Sequence, residues 1–312
     1  MEYILLVVGF LLLIKGADFF VDGASSIAAK LKVPSLVIGL TVVSMGTSMP
    51  EAAVSISASL SGSNEISLGN VVGSNIFNLL VVVGISSIVL PIVSDRDILK
   101  RDMPISIAVT AVLCFMLLDG FLSRLDAAIL LLLFAGYMFI LIRSALMNRT
   151  EETEQKTMTW VKSILVSLLG AAAIIGGGQL VVESAKTIAA SLGMGETLIG
   201  LTVVACGTSL PELVTSIVAA KKGDSGIAMG NVVGSNIFNI LFILGLAGVI
   251  SPMTADSAFF IDTGILMAVS LVMLIFASTR KNTSRTEGII STLMYVAYTA
   301  YIIMRAFHIW IF

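Results

Sequence analysis

Two glutamates and the short polar stretches around them are the residues of this sequence whose types and spacing could do chemistry. Glu51 closes GLTVVSMGTSMPE, residues 39–51, and Glu212 closes GLTVVACGTSLPE, residues 200–212. Both lie in otherwise apolar sequence. A carboxylate at a bilayer centre costs about 2.5 to 3.5 kcal/mol on insertion scales, and ionisable groups there mark ion and proton pathways. Two such acids at equivalent places make a doubly negative midplane site, which demands cations. The plainer alternative, a neutral buried glutamate serving only as a hydrogen-bond partner, would have to hold at both positions at once.

The neighbours of each acid are oxygen donors. Pro50 and Pro211 lack an N–H, so the carbonyls of Gly46 and Gly207 lose their helical partners. Unwound carbonyls in a membrane are tolerated only where they are buried in protein or line a cavity, and at half-helix ends they bind cations. Thr47, Ser48 and Glu51 are spaced so that one helix face could present all three side-chain oxygens. Downstream, GNVVGSNIFN occurs unchanged at 69–78 and 230–239. It places Ser74 and Asn78, and again Ser235 and Asn239, one helical turn apart. Carboxylate, carbonyl, hydroxyl and amide oxygens, with no Cys or His nearby, suit Ca²⁺, Na⁺ or Mg²⁺, and a many-oxygen cage favours Ca²⁺ over the reluctantly dehydrated Mg²⁺. Asn70, Asn75, Asn231 and Asn236 read as interhelical glue. The GxxxG of Gly69 and Gly73, repeated at Gly230 and Gly234, reads as a close approach between adjacent spans. Asp18 and Asp22 correspond to Gln179 and Glu183 in the second copy. With Lys15 one turn away, Asp18 reads as an ion pair or a helix-end residue, and Asp119 and Asp262 read as interfacial.

Both shared stretches recur at one offset of 161 residues, Thr47 to Thr208 and Asn78 to Asn239. The chain is therefore two halves of one design. Of its 312 residues 57% are hydrophobic and 12% charged, with mean hydropathy +1.04. That is about half the usual share of charged residues and means a polytopic membrane protein. The net charge of −2 gives no reason to expect nucleic acid. Cys114 and Cys206 read as small core residues, and His308 beside Trp310 as an interfacial anchor. No cleaved signal peptide is expected.

The pattern predicts an all-α protein of ten spans, each about 20 residues: 3–21, 36–60, 66–90, 103–118 and 126–146, then 162–182, 197–220, 226–250, 258–277 and 288–306. Residues 1–146 form the first five-helix repeat, 147–161 a short linker, and 162–312 the second repeat. With the termini outside, only Lys15, Arg124, Lys186 and Arg305 of the 18 Lys and Arg residues fall outside cytoplasmic loops, as the positive-inside rule requires. Five spans per half is odd, so the second copy crosses upside down. Inverted repeats are a transporter signature, with the site where the halves meet.

GTSxPE and GNxxGSNxxN, each present twice, closely resemble the paired alpha repeats of the calcium/cation antiporter superfamily, specifically its prokaryotic sodium/calcium exchangers. The resemblance covers essentially the whole chain. It implies that Glu51 and Glu212 are central ligands shared by Ca²⁺ and Na⁺, and that the carbonyls of Thr47 and Thr208 complete the Ca²⁺ site. Ser48, Ser74, Ser209 and Ser235, with the carbonyls of Ser44 and Ala205, would serve flanking Na⁺ sites, and Asn78 and Asn239 would line the middle. It further implies exchange of about three Na⁺ for one Ca²⁺ by alternating access, with spans one and six sliding across the rest. No cofactor, nucleic acid or protein partner is expected beyond the lipid bilayer and the transported ions. The location implied is the inner (plasma) membrane. Potassium-dependent and some archaeal relatives carry Asp where this chain has Asn239, so two carboxylates are expected here and no K⁺ requirement.

A H⁺/Ca²⁺ antiporter of the same superfamily is the nearest alternative, but proton-coupled relatives tend to a different helix count and to acidic or histidine-rich loops. A cation channel would be ill served by deep many-ligand sites, and an intramembrane protease would use paired aspartates. A single cysteine introduced into the 147–161 linker tests the topology: it should resist an impermeant thiol reagent in right-side-out cells, and labelling there would reverse the orientation.

Overall fold

The computed structural model describes residues 1–147, 158–193, 205–255 and 257–306. The first half begins with a long helix, α1 (Glu2–Leu31). A bent pair follows, α2 (Ser35–Thr47) and α3 (Met49–Leu60), angled by 50°. Next come α4 (Asn64–Val89), strand β1 (Ile92–Val93), α5 (Met103–Met116), β2 (Phe121–Leu122) and α6 (Arg124–Met147). The second half contains α7 (Trp160–Ser191), a short turn of helix at Ala205–Gly207, α8 (Leu210–Lys221), α9 (Ser225–Ile250), β3 (Met253–Thr254), α10 (Ser257–Thr279), β4 (Asn282–Thr283) and α11 (Arg285–Ala306). Seven of the described helices are long and apolar enough to cross a membrane, and the bent α2–α3 pair adds an eighth span. The expected fourth span is a helix of 14 residues led in by a wide π-turn at Ile98–Asp102. The expected seventh begins among residues outside those described. So do the linker's 148–157, His308 and Trp310.

Two helices form the centre. The most apolar windows of α4 and α9 are 83% and 78% buried, against 22% in α6 and 11% in α11. The core is continuous, running from Val71, Val72 and Ile76 on α4 through Val232, Val233 and Ile237 on α9. Large apolar side chains of α1, α6 and α7, such as Leu11, Leu132 and Leu168, face outward, as lipid contact requires.

Helix α1 packs closely along α7, and the seam is made of glycine. A Cβ on Gly16 would sit 2.9 Å from the Gly170 carbonyl, and one on Gly177 would sit 2.8 Å from the Gly9 carbonyl. Gly9 and Gly16, like Gly170 and Gly177, are seven residues apart, two helical turns on one face. Small residues let membrane helices approach where no hydrophobic force drives them together.

The GxxxG reading needs correction. Gly230 and Gly234 of α9 pack on α2, where added Cβ atoms would meet the Leu36 carbonyl at 2.8 Å and Leu40 Cα at 2.8 Å. Their equivalents Gly69 and Gly73 meet nothing within 4 Å among the described residues. At Gly230 and Gly234 the motif thus joins α9 to the other half rather than two consecutive spans; the segment equivalent to α2, 197–204, lies outside the described residues.

The four strands were not expected from an all-α pattern. They are two-residue ribbons between connections, too short to show periodicity. Ile92 pairs with Thr283 and Val93 with Asn282. Adding or subtracting 161 converts these pairs into Met253–Leu122 and Thr254–Phe121, which are the pairs of the second ribbon. Each ribbon joins the two halves. Asn64 also reaches across, donating to Ser251 Oγ at 3.0 Å and the Pro252 carbonyl at 2.8 Å.

Asp262 lies near the start of α10, and Arg305 near the end of α11. Asp262 is buried and accepts two bonds from Arg305, at 3.0 and 2.7 Å, tying α10 to α11. Asp18 does make an ion pair, but Lys15 at 3.9 Å is the looser partner. Lys222, from the α8–α9 connection, lies 3.5 Å from Asp18 and 2.7 Å from Asp22. The glycine seam generates a test. Gly170→Val would drive a branched side chain into the Phe20 backbone, 2.5 Å from where its Cβ would stand. A loss of about 1 to 3 kcal/mol, the usual effect of overpacking, is expected as a lowered unfolding temperature of purified protein, whereas Gly136→Val, in open space, should leave it unchanged.

Candidate ion-binding site

Each glutamate stands at the first turn of a half-helix. The chain turns at Ser48 (φ −84°, ψ 9°) and at Ser209 (φ −91°, ψ 7°), leaving the helical region. Proline follows in the first turn of α3 and of α8, where its missing N–H costs nothing. Glu51 and Glu212 come next, at the positive end of the helix dipole. Both are fully buried, and neither forms an ion pair among the described residues.

The break defeats the one-face reading of Thr47, Ser48 and Glu51. Because the helix is bent here, Ser48 serves the other half: its hydroxyl donates to Glu212 Oε1 at 2.7 Å. Ser209 reciprocates, donating to Glu51 Oε1 at 2.9 Å. The central helices add matching bonds, Ser74 to Glu51 and Ser235 to Glu212, both 3.4 Å. Every glutamate therefore takes one hydroxyl from its own half and one from the other.

The asparagines complete the arrangement. Asn78 Nδ2 donates to Asn236 Oδ1 at 3.1 Å, and Asn239 Nδ2 to Asn75 Oδ1 at 3.0 Å. Asn75 and Asn236 bond each other's backbone carbonyls at 3.1 and 3.2 Å. Asn70 and Asn231 brace the half-helices. Asn70 donates to the Glu51 carbonyl and Ser55, and Asn231 to the Glu212 carbonyl and Ser216. The glue reading of these four asparagines fits their contacts. Both Asn78 and Asn239 begin wide π-turns, Asn78–Val82 and Asn239–Leu244, a feature common at functional sites and invisible in residue type.

With these bonds made, one set of atoms is left over. Glu51 Oε2, Glu212 Oε2, Asn78 Oδ1 and Asn239 Oδ1, among other buried polar atoms of the chain, have no hydrogen-bond partner among the described residues. All four are acceptors, and the amides are held by their donated N–H groups so that the oxygens remain free. A buried polar group without a partner is costly, and a buried charge more so. The donor set is that of a hard cation. No group of three or more His, Cys, Asp or Glu occurs among the described residues, so two carboxylates and neutral oxygens make up the set.

The remaining expected ligands are placed unevenly. The Ser44 carbonyl accepts from Thr47 Oγ1 at 3.3 Å and Ser235 Oγ at 3.4 Å. Thr47 Oγ1 also donates to Asn231 Oδ1 at 2.9 Å, while Thr208 Oγ1 is buried and has no partner among the described residues. Ala205 begins the short turn of helix before Thr208. A polar cavity of about 630 Å³, lined by Asp22, Asp95, Lys222 and Asp224 among others, contains none of these residues.

Paired half-helices, buried acids at their breaks and oxygens turned inward define a polytopic all-α membrane transporter rather than an enzyme. The model of the sodium/calcium exchanger protein family matches residues 1–143 and 162–304. The chain is 38% identical to the sodium/calcium exchanger MaX1 of Methanosarcina acetivorans over 95% of its length and 97% of that protein's. It is 35% identical to the inner membrane protein YrbG of Escherichia coli over 95% of each. A solved structure of the sodium-calcium exchanger NCX_Mj superposes with TM-score 0.85 at 33% identity, covering 96% of this chain and 98% of that one. The chain belongs to the sodium/calcium exchanger family.

The site's two charges are separable from its shape. Glu51→Gln or Glu212→Gln keeps the side-chain size and the acceptor for Ser209 or Ser48 while removing half the charge. Near-complete loss of Ca²⁺ exchange is expected with an unchanged elution profile, and wild-type exchange by either variant would refute the site.

Proposed function

We propose that this protein exchanges Na⁺ for Ca²⁺ across the membrane by alternating access. The observation that carries the reading is the set of four buried, unpartnered oxygens from Glu51, Glu212, Asn78 and Asn239. The carbonyls of Thr47 and Thr208 complete the Ca²⁺ site. Ser48, Ser74, Ser209 and Ser235, with the carbonyls of Ser44 and Ala205, serve Na⁺ at its flanks. An ion there substitutes protein oxygens for its hydration shell, and the two glutamates are shared by whichever ion is bound.

The scaffold is read as ten spans in two inverted repeats, with both termini outside. The ribbons support it. In that topology residues 92–93 and 282–283 share the cytoplasmic side, 121–122 and 253–254 share the outer side, and those are the segments that pair. Ser25 and Asp224, both assigned to the inner side, are likewise bonded at 3.1 Å.

One Ca²⁺ cancels the two carboxylate charges. A load of about three Na⁺ leaves the site at about +1, so each cycle carries net charge, at roughly 2.3 kcal/mol per charge per 100 mV. The test is Ca²⁺ uptake into Na⁺-loaded proteoliposomes, with K⁺ or choline outside and the potential set by a pH step with a proton ionophore. Uptake is expected to depend on Na⁺ and voltage and to proceed in choline. An absolute K⁺ requirement would refute the two-carboxylate site, voltage-insensitive exchange the charge count, and uptake driven by the pH step without Na⁺ would favour proton coupling.

A further inference from the structure

An asparagine beside a cation can face it with oxygen or with nitrogen. The two ends of the amide have nearly the same shape, and hydrogen bonding decides between them. The oxygen is a ligand, whereas the NH₂ group is a donor and repels a cation. Asn78 and Asn239 serve a cation only if something fixes the end that each presents.

The order of donors starts at two backbone carbonyls, which can only accept. The Asn236 carbonyl accepts from Asn75 Nδ2 at 3.1 Å, and the Asn75 carbonyl accepts from Asn236 Nδ2 at 3.2 Å. Each of these amides is thereby turned so that Oδ1 is the end left over. Asn75 Oδ1 then accepts from Asn239 Nδ2 at 3.0 Å, and Asn236 Oδ1 from Asn78 Nδ2 at 3.1 Å. With their nitrogens held in this way, Asn78 and Asn239 keep Oδ1 without a partner among the described residues. All four side chains are buried. Polarity thus passes from a carbonyl of α9, through Asn75 on α4, back to Asn239 on α9. The second relay runs from α4 through Asn236 to Asn78.

We infer that Asn75 and Asn236 are positioning residues for ion binding: they hold Asn239 and Asn78 with oxygen toward the ion and nitrogen away from it. The inference deepens the antiport reading of this site and rests on it. Cohesion between the halves would be served by donor–acceptor pairs of either polarity. Here both relays have the polarity that leaves an oxygen free at the far end. Because each crosses between α4 and α9, the amide ligand of one half is oriented by the other half.

The test replaces Asn75 by leucine, which fills the space and neither donates nor accepts. In Na⁺-loaded proteoliposomes of the full-length protein, with K⁺ on both sides, Asn75→Leu is expected to raise half-saturating Ca²⁺ about two- to tenfold, the worth of one hydrogen bond. Asn239→Asp supplies the background that separates positioning from packing. A carboxylate presents oxygen at either end and has no N–H for Asn75 to accept. In that background Asn75→Leu is expected to leave half-saturating Ca²⁺ unchanged or to lower it. A purely structural Asn75 would raise it by the same factor in both. Asn236→Leu with Asn78→Asp repeats the comparison in the other relay, should one pair fold poorly. Wild-type half-saturating Ca²⁺ in Asn75→Leu overturns the inference, and so does an equal rise in both backgrounds. Wild-type protein that takes up no Ca²⁺ removes the antiport reading and the inference with it, whereas active wild type with either of those two results removes the inference alone.

Discussion

Everything in this molecule answers to the problem of keeping two carboxylates in a space that excludes water. Among the described residues, neither Glu51 nor Glu212 has a cationic partner. Each instead accepts a hydrogen bond from a hydroxyl of the opposite half, 2.7 Å from Ser48 to Glu212 and 2.9 Å from Ser209 to Glu51. Two neutral donors lower the cost of the charge without cancelling it, and that difference is what the proposed cation site draws on. A lysine or arginine in the same place would have cancelled the charge on which the proposed site rests. The half-helix breaks, the prolines and the buried central helices all serve to bring these crossed donors into register.

How much of this was legible in the sequence follows from what repeats reveal. The constant offset exposed both acids, their serines and asparagines, and the halves to which they belong. Alternating polar and apolar composition gave the number of expected spans, of which the described helices supply most. What escaped were relations across the interface. A spacing of three or four residues predicts neighbours on one helix, so Thr47, Ser48 and Glu51 were read as a single face. The bend at Ser48 sends one hydroxyl to the other half instead. GxxxG was read between consecutive spans for the same reason, whereas Gly230 and Gly234 receive Leu36 and Leu40.

Other features leave a mark in the sequence that only the structure makes meaningful. The seam of α1 and α7 is written as glycines seven apart on both helices, at 9 and 16 and at 170 and 177. Lys222 paired with Asp22 is a contact between residues 200 apart, for which sequence carries no local cue. The π-turns after Asn78 and Asn239 leave no mark on composition, because Leu, Val, Ile and Phe suit a wide turn as well as a tight one.

The crossed donors also bear on how such a chain is made. Translation delivers the first half to the membrane before Ser209 and Asn239 exist. During that interval Glu51 has only Ser74 of its final hydroxyl partners, and Asn75 lacks the amide that will bond its carbonyl. The nascent first half is therefore an unfinished polar surface in lipid, and it becomes a low-cost interior only when the second half arrives. The ribbons are incomplete over the same interval, since β1 waits for β4 and β2 for β3. The short connection between the halves keeps the missing complement at high local concentration. A gene encoding both halves on one chain secures equal supply as well as proximity, which two separate half-genes would have to achieve by regulation.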